Sequence, residues 1–440
     1  MELGFDTIGN ATIICYDQRP MLVTDPWIVG DAYFGSWALS HAIPDEQLDA
    51  IRACPYVWFS HGHPDHLHPA SLPLFRNKHI LLPDHEGARI YQDLRRSGYQ
   101  VSILNDQAWL ALSDRIRIRC MSDYNQDAVL LIALDDCLLV NVNDAWELRG
   151  WGATVQRTVA AYPRSFLLAL SGFGDANMIN FYDEAGTFIQ PPAARRAPVG
   201  QQISQRMAYF GTRFFIPFSS MHRYQRRDSV WANQYVTTLR DYAIGFDCPS
   251  GELLPAFVRF DCLSDTVTNL DPPAMPPRIV APEAYGDDWD EPLERDEVRR
   301  LKAYFHAMGY LPHVIDFITF RVGNVETMVE FRSKSCQRGV TFEVPRQSLI
   351  TAIDTEIFDD LLIGNFMKTT LHGSWEQTLS RGFTPIVAKY ADNGRAKSLM
   401  ALQHYLATYA RRMVALGASG APDPAFAALR ADVTRRVDGR

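Results

Sequence analysis

No stretch of this sequence stays apolar long enough to span a bilayer, and Met1-Glu2-Leu3-Gly4-Phe5-Asp6 has neither the basic segment nor the apolar segment of an export signal. Basic excess is missing too. Lys and Arg number 43 against 51 Asp and Glu, a net charge of −8 with no basic tail, which excludes the positive footprint that nucleic-acid binding needs. Cysteines are few, odd in number and scattered: Cys15, Cys54, Cys120, Cys137, Cys248, Cys262 and Cys336 form no Cys-x-x-Cys pair. They read as free thiols of a reducing compartment rather than as a disulfide framework. These absences lead to the expectation of a soluble cytoplasmic protein with no membrane or nucleic-acid partner. What is present is 47% hydrophobic residues over 440 positions, enough for a large core and about two or three domains.

Apolar runs separated by turn residues make the first 270 positions rich in strands. Ala11-Thr12-Ile13-Ile14-Cys15-Tyr16 and Met21-Leu22-Val23-Thr24 read as a hairpin or meander, halted at Asp25-Pro26 because proline cannot donate to a ladder. Tyr56-Val57-Trp58-Phe59 reads as a buried strand. A short helix from Pro69, a strand at 80–83, an amphipathic helix at 87–97 and a strand at 100–104 follow in the rhythm of an α/β layer. Strands are expected at 109–112, 116–120, 129–134, 137–143, 165–170 and 213–218, a loop at 171–176, and a helix at 200–211. Prolines 272, 273, 276, 277, 282 and 292 mark 271–295 as a linker or crossing loop. Beyond it, helices at 298–308, 347–358 and 398–416 and strands at 314–322, 328–331 and 341–345 suggest an α+β module. The expected division is a metal-binding catalytic domain over 1–270, the linker, and an accessory module over 296–440 whose histidines are isolated.

Chemistry concentrates where the buried strand at 56–59 ends. Ser60-His61-Gly62-His63-Pro64-Asp65-His66 holds three histidines and a carboxylate, and imidazole and carboxylate are ligands for zinc, iron or manganese. A lone histidine is more often a satisfied core residue. Four ligand-capable side chains spaced His-x-His-x-Asp-His point instead to a metal. His222, just past the strand at 213–218, is a further ligand candidate, whereas His68, His79 and His85 lack the spacing, His68 being the marginal case. Next to His222 lies the densest basic cluster of the chain, and Arg223, Arg226 and Arg227 offer forks suited to a carboxylate or phosphate on a small-molecule substrate.

The His-x-His-x-Asp-His string resembles the signature of the metallo-β-lactamase superfamily. The chain looks closest to its CMP-N-acetylneuraminate hydroxylase-like branch, through Ser60 to Leu67, Asp127-Ala128-Val129 running into Val140-Asn141-Val142-Asn143-Asp144, Ile216-Pro217-Phe218-Ser219, and Phe358-Asp359-Asp360-Leu361-Leu362-Ile363-Gly364. The resemblance implies an α/β (α+β) fold, an αββα sandwich with one or two metals at its sheet edges. It implies His61, His63 and Asp123 on one ion, Asp65, His66 and His222 on the other, Asp144 between them, and Asp25 holding a ring N–H. Asp123 stands where the superfamily has a histidine, with Tyr124 or Asp127 as alternatives. Exchanging imidazole for carboxylate favours iron or manganese over zinc. The branch also carries a Rieske domain, which needs Cys-x-His and Cys-x-x-His pairs that do not occur here, so an oxygenase would take electrons from an external donor. The expected function is that of an enzyme with two metal ions, iron first and manganese or zinc as alternatives. It would be a non-haem diiron oxygenase, hydroxylase-like, acting on a polar or anionic small molecule, with Asp65 and Asp144 in its catalytic centre. The alternative is a metal-dependent hydrolase of an ester, lactone or phosphodiester, and a third reading is a binding protein that has lost one metal.

Overall fold

In the strand Ala128–Leu134 every residue is buried, yet its two faces meet different partners, as the period of two in a strand requires. Leu130, Ile132 and Leu134 enter a core shared by two sheets, while Val129, Leu131 and Ala133 lie under the helices Gly152–Val159 and Val199–Phe210. The structure is a computed structural model and describes residues 1–106, 108–145, 151–172, 179–332, 337–375, 379, 382–415 and 423–439.

The second sheet, to which this strand belongs, has seven strands in the order Glu252–Leu253, Phe214–Pro217, Arg164–Ala169, Cys137–Asn143, Ala128–Leu134, Ile116–Ser122, Leu110–Ala111. The first sheet has eight, ordered Thr266–Asn269, Val258–Asp261, Leu3–Ile8, Thr12–Asp17, Arg19–Thr24, Tyr56–Trp58, His79–Pro83, Gln100–Leu104. Its inner face gives Phe5, Cys15, Leu22, Trp58 and Leu81 to the shared core; its outer face packs Val23, Val57 and Ile80 against Ile51 of the helix Asp45–Ala53 and Leu94 of Arg89–Arg96. Each such fully buried side chain contributes about 1.5–3 kcal/mol relative to an exposed one. The layers are helix, sheet, sheet, helix, the αββα sandwich that the sequence led us to expect.

A third sheet, ordered Phe181–Tyr182, Lys368–His372, Gly339–Glu343, Phe317–Val322, Val325–Glu330, forms the centre of residues 296–440 and takes its first strand from upstream of them. Phe305, Phe320, Phe342, Phe358 and Phe383 cluster in its core. The expected helix at 347–358 is two helices, Arg346–Asp354 and Phe358–Ile363, separated at Glu356 by a left-handed backbone (φ 56°). That break reorients the second helix so that its two aspartates meet His63. Residues 271–295 run as a crossing segment fixed on both sides. Val280 bridges to Arg226, the Tyr285 hydroxyl donates to Asp31 at 2.7 Å, and Asp287 accepts from the Ser348 amide at 2.9 Å.

Among the described residues no helix is long and apolar enough to cross a membrane. The described cysteines are unpaired; Cys336 and most of the glycine-bearing turn after 165–170 lie outside the described residues.

Candidate metal centre

Three strands of the sandwich end in residues with left-handed backbone: Asp25 (φ 40°), Asn143 (φ 54°) and Ser219 (φ 60°). Such backbone is costly for residues other than glycine and collects at functional sites. Here it turns three polar side chains onto one imidazole. His66 Nδ1 lies 3.3 Å from Asp25 Oδ2 and 3.2 Å from Asn143 Nδ2, and His66 Nε2 lies 3.4 Å from Ser219 Oγ. Asp25 also accepts the Ser60 amide at 2.8 Å and the Asn143 side chain at 2.6 Å, so its position is fixed. A carboxylate at Nδ1 holds the proton there and leaves Nε2 as the donor toward a cation. Nε2 faces Asp65 Oδ2 at 3.2 Å and Asp144 Oδ2 at 3.3 Å. Asp65 is itself held by the Tyr33 hydroxyl at 2.5 Å and by Asn10 at 2.9 Å, and Tyr33 and Phe34 both adopt left-handed backbone (φ 51° and 56°).

The neighbouring pair of histidines converges in the same way. Ser60 Oγ lies 2.8 Å from His61 Nδ1, and His61 Nε2 and His63 Nδ1 stand 2.8 Å apart. Asp144 Oδ2 is 3.8 Å from His61 Nε2. His61, His63 and Asp144 form one group whose ligand atoms lie within 4.8 Å of one another, and Asp65, His66 and Asp144 form a second, with Asp144 common to both. His63, Asp359 and Asp360 form a third, with His63 Nε2 3.0 Å from Asp359 Oδ2.

Charge in this region is dominated by acid. Asp25, Asp65, Asp123, Asp359 and Asp360 are all buried, and Lys389 is the lysine among them, its Nζ 3.7 Å from Asp127 Oδ1. Burial alone would push the His66 proton off, but Asp65, Asp144 and Asp25 outweigh it and raise the imidazole well above its ordinary value. For Asp65, burial is outweighed by the charge and hydrogen bond of His66, and its carboxyl is lowered. Burial lowers Lys389, yet Asp127, Asp359, Asp123 and Asp144 together raise it. His61, buried beside His66 and His63, is driven well below its usual range and offers a neutral ring. Imidazole nitrogens and carboxylate oxygens converging in a pocket with excess negative charge suit divalent cations of the zinc, iron or manganese kind, which would take the place of the His66 proton. The residues present therefore fit a metal pair.

Of the residues singled out in the sequence, His61, His63, Asp65, His66 and Asp144 come together, with Asp25 behind His66. Five others are placed differently. Among the described residues Asp123 joins no ligand group; its Oδ1 accepts the amides of Asn125 at 2.8 Å and Asp127 at 3.1 Å, closing the turn between two strands, and burial with Asp127 beside it pushes its carboxyl up to about 8. Of its alternatives, Tyr124 donates to Asp423 at 2.7 Å and Asp127 faces Lys389. Nor does His222 belong to a ligand group of the described residues. Its strand His222–Tyr224 pairs antiparallel with Trp37–Leu39, which lays the imidazole flat on Trp37, ring centroids 3.4 Å apart and planes 1° apart. Ser219, three residues earlier, is the residue that reaches His66, and it donates to Asp144. Arg226 is buried and saturated, ion-paired to Asp287 at 2.7 Å and Asp228 at 2.9 Å and stacked over Phe366, so it holds the crossing segment rather than a substrate. Arg227 is exposed, and its amide donates to Val280. Arg223 lines a cavity of about 540 Å³ together with Ser40, His41, Ser220, His222 and Arg278. His68 stacks on Trp27 and takes no part in the centre.

Sequence reasoning gave no role to Ser219, Asn10, Asp359, Asp360 or Lys389. Asp359 and Asp360 left a signal: an adjacent acid pair inside the apolar run Phe358–Ile363, where every residue is buried.

No protein-family model matches the chain. Cytidine monophosphate-N-acetylneuraminic acid hydroxylase of Asterias rubens is 27% identical over 132 residues, 28% of this chain and 20% of that protein. The Macaca mulatta enzyme of that name is 24% identical over 185 residues, 39% of this chain and 31% of that protein. The chain thus matches about a fifth to a third of the length of these relatives. Similar solved structures are Igni18, a metallo hydrolase from Ignicoccus hospitalis KIN4/I, with TM-score 0.36, 14% identity and coverage of 59% of this chain and 98% of that one. Another is CmlA, a diiron β-hydroxylase from Streptomyces venezuelae, with TM-score 0.34, 13% identity and coverage of 50% and 45%. By the layers described above, the chain has a fold of the metallo-β-lactamase type.

Proposed function

We propose that the chain is a dinuclear metal-dependent enzyme, a non-haem diiron oxygenase of the hydroxylase kind, acting on a polar or anionic small molecule with electrons from an external donor. The observation that carries this reading is the pair of ligand groups that share Asp144. His61 and His63 with Asp144 would hold one ion, Asp65 and His66 with Asp144 the other. A bound iron pair would supply dioxygen activation, and the carboxylate-rich surroundings favour iron over zinc. The protein's own part is orientation. Asp25 fixes the His66 proton on Nδ1, Ser60 engages His61 Nδ1, and Tyr33 and Asn10 hold Asp65. His66 is fully buried, whereas the Asp144 side chain is 23% exposed, so a substrate would approach from the Asp144 side. The cavity beside Ser220 and Arg223 suits a small molecule with an apolar body and an anionic group. The similarity to hydroxylases supports the same reaction class.

That exposed Asp144 carboxylate also favours a second reading, hydrolysis of an ester, lactone or phosphodiester, in which it would accept the proton of an attacking water. Metal content and dioxygen uptake of anaerobically prepared protein separate the two. Bound iron with reductant-dependent oxygen uptake is expected. Stoichiometric zinc with no uptake under any reductant would remove the oxygenase, and turnover of a generic ester or phosphodiester, abolished by chelator and by Asp144→Ala, would establish the hydrolase.

A further inference from the structure

The His61–His63 group is one side chain short, because Asp123 spends its carboxylate on its own turn. The third ligand group shares His63, and the helix Phe358–Ile363 brings Asp359 and Asp360 within 4.8 Å of it and of each other. The two acids differ. Asp359 is engaged with His63 Nε2 at 3.0 Å, whereas Asp360 is only 7% exposed and its carboxylate receives no hydrogen bond from the described residues. A carboxylate largely withdrawn from water with no hydrogen-bond donor is disfavoured unless a proton or a cation joins it. Natural structures rarely leave such a group unexplained.

We infer that Asp360 supplies the carboxylate missing from the His63-side cation, with Asp359 fixing the His63 ring, so that residues 296–440 contribute to the metal centre instead of only flanking it. This rests on the two-metal reading above. Carboxylate oxygen is a hard donor, and adding it to the His61–His63 pair would shift that position toward iron or manganese. It also gives the crossing segment a purpose: Arg226 and Asp287 hold together the two halves that must present their ligands jointly.

The test is titration of the metal-free full chain with Mn²⁺, followed by calorimetry, after thermal melts have shown that each variant folds. Wild type is expected to bind two equivalents. Asp360→Asn should keep one with unchanged affinity and lose or weaken the other by about 10–100-fold, the range seen when residues around a metal are altered. Asp359→Asn should weaken the same equivalent, and Asp123→Asn should leave both intact. Asp360→Glu, which retains the charge with a longer reach, is measured in parallel in case Asp360→Asn does not fold, and should weaken that equivalent alone. Wild-type affinity at both sites in the foldable Asp360 variant and in Asp359→Asn would overturn the inference. Failure of wild type to bind Mn²⁺, Fe²⁺ or Zn²⁺ would instead overturn the two-metal reading itself.

Discussion

The two sides of the centre are built differently. Around His66 everything comes from the ends of the sandwich strands: Asp25, Asn143 and Ser219 each turn inward on strained backbone, and Asp65 is locked by Tyr33 and Asn10. Around His63 the nearby strand turn contributes nothing, since Asp123 is folded back on itself, and the partners Asp359 and Asp360 arrive from a helix almost three hundred residues downstream, with Lys389 on a π-helical turn behind them. One side is built wholly by the sandwich. The other takes His61, His63 and Asp144 from the sandwich and, on the inference above, would be completed by the C-terminal half. That difference implies that the His66 side should tolerate damage to the C-terminal half, while the His63 side should not.

Asp144 is the strongest lever, being common to both sides. Asp144→Ala is expected to abolish binding of both equivalents and all activity, as measured by elemental analysis after dialysis; retention of a full equivalent would show that the two sides do not share it.

The C-terminal half can be probed separately through Asp392, which accepts from the Tyr304 hydroxyl at 2.6 Å and whose carboxyl burial pushes from 3.8 up to about 7. The folded chain then keeps a proton that the unfolded chain releases. Stability contributed by this group is fully present below about pH 4, declines as pH rises and levels off above about pH 7. Asp392→Asn cannot ionise, so it should match wild type near pH 4 and exceed it at pH 8 by at most about 4 kcal/mol. Denaturant melts at the two pH values check this, and equal stability at pH 8 would count against the buried titration.

Asp25→Asn should weaken the His66-side ion by about 10–100-fold and affect the His63-side ion less, because His66 is the histidine its carboxylate contacts directly. Calorimetric titration separates the two. The smallest effect belongs to His222→Phe. A phenyl ring can keep the stack on Trp37, so metal stoichiometry should not change; loss of one equivalent would reinstate His222 as a ligand.

The readable parts of this site were those carried by local pattern. The apolar run at 56–59 and the ligand string after it placed His61, His63, Asp65 and His66, and the superfamily resemblance, with its strand-end aspartates, located Asp25 and Asp144. What failed depended on geometry that spacing does not encode. His222 sits at a strand start whose antiparallel pairing with Trp37–Leu39 decides where the ring points. Asp123 had the right offset from Asp144, but two backbone amides of its own turn compete for its carboxylate. The charge of Arg226 was evident, its partner Asp287 in a Pro-rich stretch was not, and a buried pair replaced a binding fork. The helices Asp45–Ala53 and Gly152–Val159 were missed as well. Neither begins with a capping side chain or carries a long apolar stripe, and packing on the sheets stabilises both.

The most direct test is anomalous diffraction at the iron edge from crystals of the full chain loaded anaerobically with Fe²⁺. Two peaks are expected on either side of the Asp144 carboxylate, one beside His61 and His63 and the other beside Asp65 and His66. Iron bound elsewhere, or no peak within reach of the histidine-rich loop, would contradict the two-metal centre.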